Sequence, residues 1–509
     1  MAGMYRIKFL LGLLLISGMP GLLRADSGTT KDRLGSPAEL AARPIGAFTP
    51  CQLTDPHQVQ SFAAECLDIE IAERVGSPRR IRLSLVRLPA VGRQAHTDPI
   101  VLLAGGPGGD AQSMYTQVAQ VFARAGRARD ILLLDQRGTG RSTPLRCPAA
   151  TEELLADPNA DIDVMLAYTR SCRDLLAQEH DLTAYTTSQA VRDLDAVRAL
   201  LGHERLNIYA VSYGTRVAQH YARKYPTRVR SMVLDGVVAP TTVLGPELAL
   251  HAEAALNGIF DRCGVDPACG SAFPNLARRT RGLIATLTRR PQSLNMPHPR
   301  TGEALSFDFG APHLKLALRL GSYQAAQAAL LPLSLHEAFN GNYRPLANLY
   351  WLTAESLSQG LATGMHNSVV CSEDMARFDP ASLQRDALQA TYIGTEMIDF
   401  MQPLCAEWPQ GPVDPDFHEP LKTALPVLLL SGSLDPVTPP ADAARVAVTL
   451  ANARHLILPG EGHGQLGLLC MDRILADFFD TTDPGALDVG CLDRKRLPPF
   501  WLSLAGPAP

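Results

Sequence analysis

Residues 209–215 read Tyr209-Ala210-Val211-Ser212-Tyr213-Gly214-Thr215. They nearly fit G-x-S-x-G, the tight strand-to-helix turn that lifts a serine hydroxyl clear of the backbone so that it can act as a nucleophile. Ala210 stands where the first glycine belongs. A small residue is needed there because the strand and helix backbones approach each other, and alanine adds only one methyl group. The flanks agree with such a turn. Residues 206–211 have the length and apolar content of a strand, and residues 214–225 read as a helix closed by Pro226.

Working outward, the same alternation recurs. Thr187-Ser188 offers a helix cap, Val191, Leu194, Val197 and Leu201 follow at near-helical spacing, and Gly202 suits the stop. Residues 100–103 and 131–134 are continuous apolar runs, as expected of strands covered by helices on both faces of a parallel sheet. Met232-Val233-Leu234, residues 427–430 and residues 455–458 read as further strands, with a helix over 441–450. Nearer the start, residues 67–71 and 81–85 alternate apolar with polar, like half-buried antiparallel strands, and Gly76-Ser77-Pro78 turns the chain between them. From about Thr241 to Asp416 the alternation stops, and Leu276, Leu283, Ile284 and Leu287 share one helical face. The expected architecture is α/β, a mostly parallel sheet with a helical cap insertion. Residues 26–240 and 417–509 would form the core and residues 241–416 the cap.

Bulk properties bound the function. Of the 509 residues, 46% are apolar and 19% charged, the balance of an ordinary globular chain. Residues 1–25 carry Arg6 and Lys8, then an apolar run over 9–16, then Pro20 and Ala25, the layout of a cleaved secretory signal peptide. Losing Arg6, Lys8 and Arg24 with that leader takes the formal charge from −4 to −7. Nothing in this balance suggests a nucleic-acid partner, and no later segment predicts stable membrane insertion. The ten cysteines fall as neighbours along the chain: Cys51 and Cys66, Cys147 and Cys172, Cys263 and Cys269, Cys371 and Cys405, Cys470 and Cys491. In an exported chain these suggest five local disulfides, although spacing leaves the connectivity open. Without C-x-x-C or H-E-x-x-H, no metal site is expected.

A serine becomes a nucleophile when a base takes its proton, and the base needs an acid to hold its tautomer. Ser431-Gly432-Ser433-Leu434-Asp435-Pro436 follows a buried strand, and Gly460-Glu461-Gly462-His463-Gly464 follows the next one. Asp435 and His463 are the candidate acid and base, in the order serine, acid, histidine. Asp235 also ends a strand and is the rival acid, whereas His455 begins a strand and reads as structural. Acyl transfer also needs amides aimed at the oxyanion; Tyr213, after the serine, and Gly106, in Ala104-Gly105-Gly106-Pro107-Gly108-Gly109, are the candidates. A different chemistry shares that loop. Residues 106–111 satisfy G-x-G-x-x-A after a strand, with Asp135 ending the next, as in dinucleotide-binding oxidoreductases. That reading leaves the settings of Ser212, Asp435 and His463 unexplained.

These residues resemble the α/β-hydrolase family of proline iminopeptidases and, more closely, tripeptidyl aminopeptidases. The resemblance rests on the glycine loop at 105–109, Asp135-Gln136-Arg137-Gly138-Thr139-Gly140-Arg141-Ser142, the turn at 210–214, the Asp435 and His463 loops, and the cysteine-bounded segment from Cys470 to Cys491. It implies a serine hydrolase that releases amino acids or short peptides from free N-termini without a cofactor, and the leader at 1–25 places such an enzyme in the periplasm or outside the cell. It also implies Ser212 as nucleophile, Asp435 as acid, His463 as base, and acidic residues of the cap that hold the substrate ammonium. Glu373 and Asp374 are the best candidates for that contact. Ala104 departs from the histidine usual in proline iminopeptidases, which favours the broader aminopeptidase group, with a carboxylesterase as the alternative.

Overall fold

A computed structural model describes residues 42–507 apart from 56–58, 94 and 158–160, so the leader at 1–25 lies outside the described residues. Strands β1 (Arg43–Thr54), β2 (Ser61–Ala72) and β3 (Arg80–Leu88) form an antiparallel edge, and β3 joins β5 (Ile131–Leu134) antiparallel as well. From β5 through β4 (Ile100–Leu103), β6 (Leu206–Val211), β7 (Val229–Asp235), β10 (Val427–Gly432) and β11 (Ala453–Leu458), every pair is parallel.

The continuous apolar runs follow from burial on both faces. Ile100, Leu102, Tyr209 and Val233 point to one side, where they meet Tyr115 and Phe122 of the helix Ala111–Phe122 and Phe478 of the helix Met471–Thr481. Their neighbours Val101, Ile208 and Ala210 point to the other side, against Val191 and Leu194 of Thr187–Leu200 and Val217 of Tyr213–Lys224. Each such aliphatic side chain withdrawn from water contributes about 1.5–3 kcal/mol. A sheet lined on both faces has mostly apolar central strands, and polar side chains there, such as Asn207 and Ser231, are buried and hydrogen-bonded to each other.

Two elements depart from expectation. β1 was not anticipated: its twelve residues include Pro44 and Pro50, and nearly all of them are exposed, so no alternating pattern marks the strand. It is held at the sheet edge by pairing with β2 and by the Cys51–Cys66 disulfide. The stretch between β7 and β10 is mainly helical but also carries the hairpin of β8 (Gln292–Pro297) and β9 (Ala304–Phe309). Leu305, Phe307 and Phe309 alternate with exposed residues there, a period of two too short to stand out among helices. This stretch has its own core, with Leu256, Leu283, Leu314 and Trp351 buried together. The C-terminal tail returns to it: Phe500 enters that core and the Arg262 guanidinium sits 4.0 Å from its ring centroid.

The remaining cysteines are joined as Cys147–Cys172, Cys263–Cys269, Cys371–Cys405 and Cys470–Cys491, each to its neighbour along the chain. Parallel strands aim their C-terminal ends at one edge of the sheet. That edge therefore collects the glycine loop after β4, Ser212 after β6, Asp235 at the end of β7, Asp435 after β10 and His463 after β11.

Candidate active site

Ser212 stands between β6 and the helix Tyr213–Lys224 with φ 56° and ψ −128°, a backbone conformation that costs a non-glycine residue about 1–3 kcal/mol. Its surroundings hold it there. The Ser212 amide donates to the carbonyl of Asp235 at 2.9 Å, and its carbonyl accepts from the Thr215 amide at 2.9 Å and the Thr215 hydroxyl at 2.6 Å. A side chain at 214 would put a Cβ 2.4 Å from the Leu103 carbonyl oxygen, so the second glycine of the motif is required by contact. Ala210 is fully buried in β6, paired with Leu103 and Leu234, and its methyl group is accommodated within the sheet core.

His463 and Asp435 meet across two loops. The imidazole Nδ1 lies 2.7 Å from Asp435 Oδ2, which also accepts the Thr438 hydroxyl at 2.8 Å. The amides of Val437 and Thr438 donate to Asp435 Oδ1 at 2.8 and 2.9 Å. Burial alone would raise the Asp435 carboxyl, but the His463 charge and hydrogen bond, with these amides, hold it below the usual carboxylate value. Burial would likewise lower His463, yet the charge and hydrogen bond of Asp435 outweigh it and hold the imidazole above its ordinary value. With Nδ1 taken by Asp435, Nε2 is the nitrogen left to receive a proton. Among the described residues Ser212 Oγ makes no hydrogen bond to His463, a separation common before substrate binds. Thr438 was not singled out from sequence; its place three residues after Asp435 in a Pro-rich turn was the available signal.

The glycine loop closes on the serine. The Gly109 amide donates to the Gly105 carbonyl at 3.1 Å, and a Cβ on Gly105 would lie 2.8 Å from Ser212 Cβ and 3.4 Å from Oγ. The Tyr213 amide is the first of its helix and so has no acceptor within it. Among the described residues, neither this amide nor that of Gly106 donates a hydrogen bond to the protein. The stretch between β7 and β10 grips this machinery from above. Its Ala362 amide donates to the Gly108 carbonyl at 3.0 Å, and His366 Nδ1 lies 3.1 Å from the Pro107 carbonyl. It also clamps the histidine: the His463 amide donates to the Tyr323 carbonyl at 2.7 Å, Gln324 Nε2 donates to the His463 carbonyl at 2.8 Å, and the Tyr323 ring stands edge-on to the imidazole. No local pattern in the sequence marks Tyr323, Gln324 or His366 for this work.

Other residues singled out from sequence stand elsewhere. Asp235 does not touch His463 by a hydrogen bond; its carboxylate accepts the Tyr209 hydroxyl and the Gln465 amide, each at 2.8 Å. His455 Nε2 lies 3.0 Å from the Ser431 hydroxyl on the neighbouring strand. Asp135 is buried, with its oxygens accepting the amides of Gln112 at 3.2 Å and Arg141 at 2.9 Å, so it offers nothing to a ribose. Glu373 and Asp374, expected to hold a substrate amine, are engaged by partners inside the protein. Both are fully buried. Asp374 accepts from Arg216 Nη1 with both oxygens at 3.0 Å and from the Leu244 amide at 2.8 Å. Glu373 accepts the Thr187 amide at 2.5 Å and the Thr187 hydroxyl at 2.9 Å, and burial pushes its carboxyl up to about 8. Buried acids demand partners, and here the protein supplies them.

Known proteins resemble this chain in its fold and over much of its length. Residues 98–262 match the family described as alpha/beta hydrolase fold, and residues 390–491 match the family described as TAP-like protein. A tripeptidyl aminopeptidase of Streptomyces coelicolor is 26% identical over 81% of this chain and 80% of its own length. The serine protease Hip1 of Mycobacterium tuberculosis is 29% identical over 43% of this chain and 44% of its own. A carboxylesterase B of Mycobacterium tuberculosis is 25% identical over 92% of this chain and 94% of its own.

Proposed function

Since the chain is an α/β-hydrolase carrying a TAP-like C-terminal segment, and hence a hydrolytic enzyme, we propose that it is a serine peptidase of the aminopeptidase type acting on short peptides. The observation that carries the chemistry is the buried 2.7 Å contact between Asp435 and His463 at the sheet edge that also presents Ser212. In the proposed reaction His463 Nε2 takes the Ser212 proton as Oγ attacks the scissile carbonyl, and Asp435 keeps the Nδ1 proton in place. The amides of Gly106 and Tyr213 receive the oxyanion. His463 then protonates the leaving amine, and a water activated by the same imidazole resolves the acyl-enzyme. No cofactor enters this scheme.

The choice of peptide over ester rests on the tripeptidyl aminopeptidase and serine protease relatives. A carboxylesterase with the same three residues is the second reading, favoured by the esterase relative that spans most of the chain and by the burial of Glu373 and Asp374. Export is part of the proposal, supported by five disulfides, which persist in oxidising compartments. Among the described residues no helix is long and apolar enough to cross a membrane.

The test is a comparison of one tripeptidyl chromogenic substrate with its amino end free and acetylated, beside a short-chain nitrophenyl ester, using wild type and Ser212→Ala. Cleavage of the free peptide, lost on acetylation and in Ser212→Ala, is the expected result. Equal cleavage of both peptides, or hydrolysis of the ester alone, would replace the aminopeptidase reading with the esterase one.

A further inference from the structure

Asp235 occupies an unusual position. It ends β7 one strand away from Asp435, is fully buried, and has no cationic side chain hydrogen-bonded to it. Its main-chain carbonyl accepts the Ser212 amide at 2.9 Å. Its Oδ2 accepts the amide of Gln465, two residues beyond His463, at 2.8 Å, and the Tyr209 hydroxyl from β6 at 2.8 Å. Its Oδ1 has no hydrogen-bond partner among the described residues. The next residue, Gly236, lies directly under the imidazole: a Cβ there would be 2.9 Å from His463 Cε1.

A buried carboxylate is costly in a folded protein unless it is hydrogen-bonded, and Asp235 makes its side-chain bonds to the strand leading to Ser212 and to the loop of His463. One residue thus joins the segment bearing the nucleophile to the segment bearing the base. Building on the serine-hydrolase reading above, we propose that Asp235 is a positioning residue for the reaction. Its carbonyl fixes the backbone of Ser212, its carboxylate fixes the loop of His463, and its charge supports the imidazolium that forms when Ser212 gives up its proton. Asp435 supplies the direct hydrogen bond, and Asp235 supplies the anchor and a second negative charge from the end of the neighbouring strand β7.

The charged and titratable groups around Asp235 are Tyr209 on β6, His463 on the loop after β11 and Asp435 on the loop after β10. Burial pushes the Asp235 carboxyl up to about 6, opposed by the Gln465 amide, the Tyr209 hydroxyl and the His463 charge. Above that pH the group is an anion. Removing a negative charge near an imidazolium lowers the imidazolium pKa, so the acidic limb of the rate profile should move toward lower pH.

The experiment measures kcat and KM against pH for Asp235→Asn and Tyr209→Phe, with fluorophosphonate labelling of Ser212 and thermal unfolding of each protein. Asp235→Asn keeps an acceptor for the Gln465 amide but loses the charge. Its kcat should fall on the order of ten- to a hundredfold with KM little changed, and the acidic limb should shift down. Tyr209→Phe leaves Asp235 in place, removes a donor that favours its charged form, and should shift the limb in the same direction by less. This second variant decides the matter if Asp235→Asn does not fold. An unmoved acidic limb with wild-type kcat in the folded variants would overturn the proposal. Failure of wild type to be labelled at Ser212 would instead overturn the serine-hydrolase reading on which it rests.

Discussion

Gly105→Ala isolates the contact between the glycine loop and the serine. The new methyl carbon would start 2.8 Å from Ser212 Cβ, 3.3 Å from the Val211 carbonyl oxygen and 3.4 Å from Ser212 Oγ. Ordinary van der Waals contact begins near 3.4 Å, so one side must retreat by about 0.6 Å. Ser212 is poorly placed to do so, because its amide is bonded to Asp235 and its carbonyl to Thr215. The glycine loop would move instead, and with it the Gly106 amide, which lies next in the chain. Displacement of a catalytic group by about 1 Å costs on the order of a hundredfold in rate, so a loss of about ten- to a hundredfold in kcat/KM is expected. Overpacking of this kind destabilises by about 1–3 kcal/mol, so the protein should remain folded. The assay is kcat/KM on the tripeptidyl substrate, with the rate of fluorophosphonate labelling and a urea melt. Gly467→Ala, where a Cβ would meet nothing within 4 Å, is the matched control. If Gly105→Ala matched that control in both rates, the glycine loop would not be packed on the nucleophile as described.

Further outcomes follow from the buried acids. Asp435→Asn preserves shape but removes the charge that holds the Nδ1 proton, and kcat should drop by roughly 10⁴, with retained activity pointing to another acid. Asp374→Ala would leave Arg216 as a buried cation without its carboxylate, and denaturant melts should report a loss of about 3–5 kcal/mol. Glu373 has its carboxyl pushed up by burial to about 8 from an ordinary 4.5, so the folded chain keeps a proton that the unfolded chain releases. The stability due to that proton is full below about 4.5 and is lost as pH rises toward 8. Glu373→Gln should flatten that decline, and an unchanged slope of unfolding free energy against pH would show that Glu373 is ionised throughout.

The parts of this molecule legible from sequence are those governed by local chemistry. The continuous apolar runs at β4, β5 and β10 announce strands covered on both faces, because only such strands have no polar side to display. Asp435 stands out because it follows such a run and His463 because it follows the next strand within a glycine-rich loop, and chain direction in a parallel sheet sends both to one edge. The cysteines pair with their neighbours along the chain, a connectivity that spacing had left open.

Other features depend on what the chain meets after it folds. β1 is an exposed edge strand with two prolines, and it is recognised only through its pairing with β2. The Glu373-Asp374 pair reads as an exposed carboxylate site until Arg216, 158 positions earlier, and the cap of the helix at Thr187 are brought against it. The grip of Tyr323 and Gln324 on His463 spans about 140 residues of chain and leaves no periodic trace. Local sequence by itself determined where strands end and which side chains stand at those ends, since hydrophobic period and turn chemistry act over a few residues. Tertiary structure alone decided which acid anchors the loop of the imidazole and which are neutralised inside the protein, because the ionisation and orientation of a buried group are set by partners that only folding brings near.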